Sequence, residues 1–105
     1  MKEYNKLVRD KIPELLTGKM IPFETRIADD DEFRVKLNEK LIEESHEFLE
    51  AKTDEEAKEE MADIFEVIDT ILAVRGWSRK DIQHLQGKKH EDRGGFIKRI
   101  ILERS

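Results

Sequence analysis

The stretch FRVKLNEKLIEESHEFLEAKTDEEAKEEMADIFEVIDTIL, residues 33–72, contains two helical stripes, and each has an acid where an apolar residue belongs. At about 100° per residue, Phe33, Leu37, Leu41 and Phe48 share one face, with Glu44 inside the stripe and Glu47 at its margin. Further on, Ala57, Met61, Ile64, Ile68 and Ile71 make a second stripe; Glu60 lies within it and Asp63 just past its edge. Glu44 and Glu47, like Glu60 and Asp63, are spaced i, i+3, so the members of each pair point the same way. An ionised carboxylate withdrawn from water costs several kcal/mol unless something pairs with it. The acids are therefore expected to meet across two helices with a cation between them, which reads as a divalent metal site.

The punctuation around this stretch sets the element boundaries. Asp29 with Glu32 resembles a capping box and predicts a helix over about 30–52; Thr53 with Glu56 is another and opens a helix over 54–76, stopped by Gly76. So short a connection makes an antiparallel hairpin, in which Glu47 near the end of one helix is placed to meet Glu60 near the start of the next. Upstream, Asp10 is positioned to cap a short helix over 11–17, with Pro13 in its first turn and Gly18 just beyond it, where a left-handed residue is often needed. Residues 21–27 alternate Ile21, Phe23, Thr25 and Ile27 with Pro22, Glu24 and Arg26, and read as extended. Ser78 with Asp81 predicts a weaker fourth helix from Asp81 to about Lys89, interrupted at Gly87. After Gly94-Gly95, FIKRIIL at 96–102 is rich in β-branched residues, and a two-strand element pairing it with 21–27 is expected. The fold class is thus mainly α, a helical bundle with a small β element, in one domain over residues 1–105.

Composition narrows the function. The chain has 105 residues, 37% hydrophobic and 43% charged, and so has little apolar material for a core. Its stripes are regular enough to argue against disorder. They continue round to Ile42, Leu49, Phe65 and Leu72, more apolar surface than a hairpin can bury, so a homodimer or homotetramer is expected, with Phe65 and Leu72 in or near the contact. A net charge of −5 without a long basic run excludes generic nucleic-acid binding. There are no cysteines, the opening MKEYNKLVRDK has no apolar h-region, and no run approaches the roughly 20 apolar residues that span a bilayer. A cytoplasmic protein without membrane attachment is the expectation. Basic residues gather at the ends, with Lys6, Arg9 and Lys11 early and Lys88, Lys89 and Arg93 late, where they could hold an anion that accompanies a metal.

Glu43-Glu44-x-x-Glu47, twelve residues, then Glu60-x-x-Asp63 resembles the EExxE…ExxD signature of the all-α nucleoside triphosphate pyrophosphohydrolases, the MazG-like group that includes phosphoribosyl-ATP pyrophosphohydrolase and dimeric dUTPases. YNKLVRDKIPE at 4–14 and KHEDRGGFIKRIILE at 89–103 are similar to a MazG-like subgroup described as phosphoribosyl-ATP pyrophosphohydrolase-like. The resemblance implies hydrolysis of a nucleoside triphosphate between its α and β phosphates, yielding monophosphate and pyrophosphate. It also implies magnesium, with manganese able to substitute, on Glu44, Glu47, Glu60 and Asp63, and Glu43 as outer-shell group or water-activating base. Lys89 and Arg93, before the glycine pair, are then phosphate clamps, and Lys6 and Arg9 further substrate-binding candidates.

Each feature also has an ordinary reading. Any single Glu here could be a solvated helix residue paired with a lysine such as Lys40. His46, His84 and His90 have no partner at ligand spacing and read as surface residues. Trp77 reads as the hydrophobic contact of a helix cap, Phe96 as core, and Gly94-Gly95 as a turn. Three functions follow: a house-cleaning nucleotide pyrophosphohydrolase, the phosphoribosyl-ATP pyrophosphohydrolase of histidine biosynthesis, and a non-catalytic helical dimer that binds a nucleotide or protein partner. The N-terminal segment and RGGF tail favour the first over the second.

Overall fold

Capping chemistry divides the chain much as its residue types demand. The computed structural model describes residues 2–105 and contains α1 (Ile12–Gly18), α2 (Asp30–Glu50), α3 (Asp54–Arg75) and α4 (Arg79–Arg93). Asp29 accepts the amide of Glu32 at 2.8 Å and Thr53 that of Glu56 at 3.1 Å, which satisfies donors that the first helical turn leaves without partners. Ser78 and Asp81 form a complete reciprocal box. At the end of α3, Gly76 adopts φ 72°, so that the amide of Trp77 reaches the carbonyl of Leu72 at 2.9 Å and that of Gly76 reaches Ala73 at 3.3 Å. This is the left-handed closure for which glycine is suited.

Boundaries differ from expectation in informative places. Helix α1 starts without a side-chain cap, since Lys11 rather than Asp10 is the N-cap residue. It also runs through Gly18, and Met20 at φ 59° takes the left-handed position, with Ile21 and Met20 amides returning to Leu16 and Thr17. Helix α2 stops at Glu50 rather than near 52, because Ala51 turns to ψ 135°. Helix α4 begins at Arg79, directly after its cap, and continues through Gly87 to Arg93. One interior glycine costs a helix only about 1 kcal/mol, too little to break one that is well capped.

The expected β element is not formed: none of the described residues is in a strand. At 96–99 the chain turns instead, with the Arg99 amide on the Phe96 carbonyl at 3.1 Å and Arg99 at φ 59°. In 21–27, Arg26 holds Glu32 through two guanidinium nitrogens at 2.5 and 2.6 Å, tying the segment to the start of α2. β-propensity describes fit to a neighbouring pleated surface, and neither segment has one here.

Packing concentrates in the α2–α3 hairpin, the only helix pair in extensive contact among the described residues. Leu37 of α2 and Val67 and Leu72 of α3 are its buried apolar residues, flanked by half-buried Phe33, Leu41, Phe48, Met61, Ile64, Ile68 and Ile71. Leu72 thus belongs to the core within the chain, not to an external contact, whereas Ile42, Leu49 and Phe65 stay exposed. Helix α4 buries nothing; its start is held to α3 by the Arg79–Asp69 pair at 2.8 and 3.2 Å and by the same guanidinium over the Phe65 ring at 5.6 Å. The chain exposes 9949 Å² and has a radius of gyration of 18.0 Å. A compact monomer of this mass would show roughly 6,100 Å² and about 13 Å.

Candidate metal centre

The hairpin brings five acids together. Glu43, Glu44 and Glu47 of α2 each offer a carboxylate oxygen within 4.8 Å of the others, as do Glu44 with Glu60 and Asp63 of α3, so that Glu44 belongs to both sets. Helical register explains the gathering: i, i+3 spacing stacks the acids on one face of each helix, and the short loop at 51–53 turns the second face onto the first. Glu44, at 5% exposure, is the one buried charged residue among those described. Glu43, Glu60 and Asp63 are half-buried, while Glu47 sits at the exposed edge.

Charge accumulates there faster than the chain neutralises it. Burial, then the neighbouring Glu47 carboxyl, pushes the Glu44 acid above the usual range. Contact with Glu47, then partial burial and Glu44, pushes Glu60 up to about 7. Glu43 goes the other way: burial raises it, but Lys6 and Lys40 together outweigh that and hold it below its ordinary value. One oxygen of Glu44 and one of Glu60 are buried without a hydrogen-bond partner among the described residues. Two orphaned carboxylate oxygens facing one cluster require an explanation, and an all-oxygen donor set is the kind a hard divalent cation takes.

Three cations border the cluster. Lys40 lies 3.3 Å from Glu43 and 3.4 Å from Glu44, so pairing within α2 is real but satisfies one Glu44 oxygen only. The other two come from the N-terminal segment: Lys6 Nζ donates to Glu43 at 3.2 Å and Arg9 Nη2 to Asp63 at 2.6 Å. Lys6 and Arg9 belong to the basic N-terminal end of the sequence, and only the fold brings them here, because separations of 37 and 54 residues carry no periodicity. Lys89 and Arg93 are exposed on α4, and no hydrogen bond or ion pair joins them to the acids among the described residues. His46, His84 and His90 are exposed, and Trp77 lies half open under the Arg75 guanidinium at 5.5 Å.

A model of the phosphoribosyl-ATP pyrophosphohydrolase family matches residues 1–84, which include all five acids, Lys6, Arg9 and Lys40. The chain belongs to that family. It is accordingly a pyrophosphohydrolase, a hydrolase of acid anhydrides, within the MazG-like all-α superfamily. Pyrophosphohydrolases of this family typically use a divalent metal, and the acid cluster is suited to one. The matched span stops short of Lys89, Arg93 and the glycine pair. No curated protein and no solved structure matches the chain. Among the described residues, no helix of this pyrophosphohydrolase is long and apolar enough to cross a membrane.

Proposed function

We propose that this pyrophosphohydrolase cleaves the α–β anhydride of a nucleotide triphosphate group, with magnesium held by Glu44, Glu47, Glu60 and Asp63. The observation that carries this reading is the pair of buried, partnerless oxygens on Glu44 and Glu60, on facing helices within one carboxylate cluster. A divalent cation bound there supplies charge neutralisation for phosphate oxygens and acidifies water. Glu43, kept ionised by Lys6 and Lys40, accepts the proton that water loses as its oxygen joins phosphorus. The bridging P–O bond breaks, and pyrophosphate leaves with that electron pair. Lys89 and Arg93 are proposed to clamp phosphate from the exposed face of α4.

House-cleaning of surplus or non-standard nucleotides is the first physiological reading. The family description favours phosphoribosyl-ATP as a second substrate reading, and since that compound carries the same triphosphate, the chemistry is shared. Pyrophosphate release measured over a panel of nucleoside triphosphates and phosphoribosyl-ATP, with magnesium, separates the two. Turnover of phosphoribosyl-ATP alone selects the biosynthetic reading, and turnover of neither overturns the proposal.

Assembly into a homodimer or homotetramer is part of the proposal. It is supported by the surface excess described above and by exposed Ile42, Leu49, Phe65, Ile97 and Ile101. Sedimentation at micromolar concentration should show a dimer or larger species, and a stable monomer would remove this part.

A further inference from the structure

The N-terminal segment ahead of α1 is anchored by charge. Lys6 reaches α2 at Glu43 and Arg9 reaches α3 at Asp63, so the segment straddles the hairpin across the acid cluster. A third tie runs from Lys36 Nζ to the carbonyl of Asn5 at 2.8 Å. Leu7 is half-buried and the other residues from 2 to 11 are exposed, so little apolar contact holds the segment down. Asn5 adopts φ 47°, a left-handed conformation that asparagine tolerates. Ion pairs that are half exposed, as Arg9–Asp63 is, contribute little to stability and exchange readily for a stronger anion or cation.

The two partners differ in what they have without the segment. Glu43 keeps Lys40 at 3.3 Å when Lys6 leaves. Asp63 has no second cation within ion-pair distance among the described residues, so Arg9 alone neutralises it. Asp63 also shares a cluster with Glu44 and Glu60, each of which carries an orphaned oxygen. Arg9 therefore engages one oxygen of an acid that shares the cluster a divalent cation would occupy, and it does so from a segment held mainly by charge.

We infer that the segment containing Lys6 and Arg9 is an arm shared between the acids and the substrate. In the metal-free protein Arg9 is the counter-ion of Asp63; on loading, it cedes Asp63 to the divalent cation and turns its two-pronged guanidinium to the phosphate oxygens. The metal alone and the arm then compete, whereas nucleotide and arm cooperate. Lys6 follows with a smaller effect, because Lys40 remains on Glu43. This rests on the metal-site reading above and adds to it the source of phosphate-binding charge.

Two titrations test the inference on the full chain. Manganese binding is followed by electron paramagnetic resonance without nucleotide. Binding of a nucleoside triphosphate with a methylene α–β bridge is followed by calorimetry at saturating magnesium. In Arg9→Gln, manganese should bind about two- to fivefold tighter, the scale of one exposed ion pair, and the analogue at least about tenfold weaker, the scale of a charge-assisted hydrogen bond. Arg9→Lys should recover part of the analogue affinity, and Lys6→Gln should change both titrations in the same directions but less. Melting curves confirm that each variant is folded. If Arg9→Gln leaves either titration unchanged while the unmutated protein binds manganese through Glu44 and Glu60, the shared arm is wrong and the metal centre stands. If the unmutated protein binds no manganese, the metal centre fails and the arm with it.

Discussion

The α2–α3 hairpin and the region after it, α4 with the tail to residue 105, have similar raw material and different outcomes. Both mix charged residues with branched apolar ones. The hairpin buries Leu37, Val67, Leu72 and Glu44, while α4 buries nothing and the tail leaves Phe96 and Ile97 at least 95% exposed. The difference lies in the partner. In the hairpin each stripe has the other to cover it within a three-residue loop, so register alone sets which side chains meet. Helix α4 is capped at both ends but has no extensively packed partner helix among the described residues. Its cations, Lys89 and Arg93, make no ion pair with an acid among the described residues, whereas Lys6 and Arg9, in a segment outside any helix, are seated on acids.

The widest gap between the regions should appear in catalysis. Glu44→Gln and Asp63→Asn should each reduce magnesium-dependent pyrophosphate release by at least about a hundredfold, since groups one shell further out already account for 10- to 100-fold. Helical circular dichroism should be retained, because the fold does not need the charge. Normal turnover in both variants would erase the distinction between an acid centre and an ordinary charged helix pair.

A smaller loss is expected from the other side of the comparison. Arg93→Ala should lose about 1.5–3 kcal/mol of transition-state stabilisation, the range of a charge-assisted hydrogen bond, read as kcat/KM. Its melting temperature should hold, since an exposed charge contributes little to stability. Unchanged kinetics would remove α4 from the site and leave the N-terminal arm as the phosphate ligand, sharpening the contrast.

Stability against pH reports on the cluster without substrate. Glu60 titrates near 7 in the folded, metal-free protein and at an ordinary carboxylate value of 4.5 when unfolded. The folded state therefore binds the proton more tightly, and the resulting stabilisation, complete below about 4.5, is lost as pH rises through 7. Glu43, shifted downward, titrates outside that window. Metal-free protein should thus melt at a lower temperature at pH 8 than at pH 6, and magnesium should abolish the difference by removing carboxylate repulsion. A flat profile without metal would show that the acids do not crowd one another.

The smallest effect concerns α1. Met20 is 90% exposed and holds the left-handed position that closes the helix. Met20→Gly should stabilise the protein by up to about 1 kcal/mol, because glycine adopts φ 59° without the steric cost other residues incur. Denaturant unfolding of the two proteins measures it.

What residue order determined by itself was local and periodic. Capping residues at 29, 53 and 78, the stop at Gly76, and the coincidence of Glu44 and Glu60 with apolar stripes are all readable within a few turns of helix, because a helix fixes each side chain's direction from its place in the chain. The antiparallel meeting of Glu47 with Glu60 follows from loop length in the same way. Tertiary structure decided the rest. Residues 21–27 and 96–102 have β-prone composition, yet a strand exists only against another strand, and neither segment forms one. Leu72 is buried within the chain itself, which apolar character alone did not specify. Lys6 and Arg9 reached the acids through a segment with no period, where only the folded path of the chain, and the attraction of unneutralised carboxylates at its end, set their position.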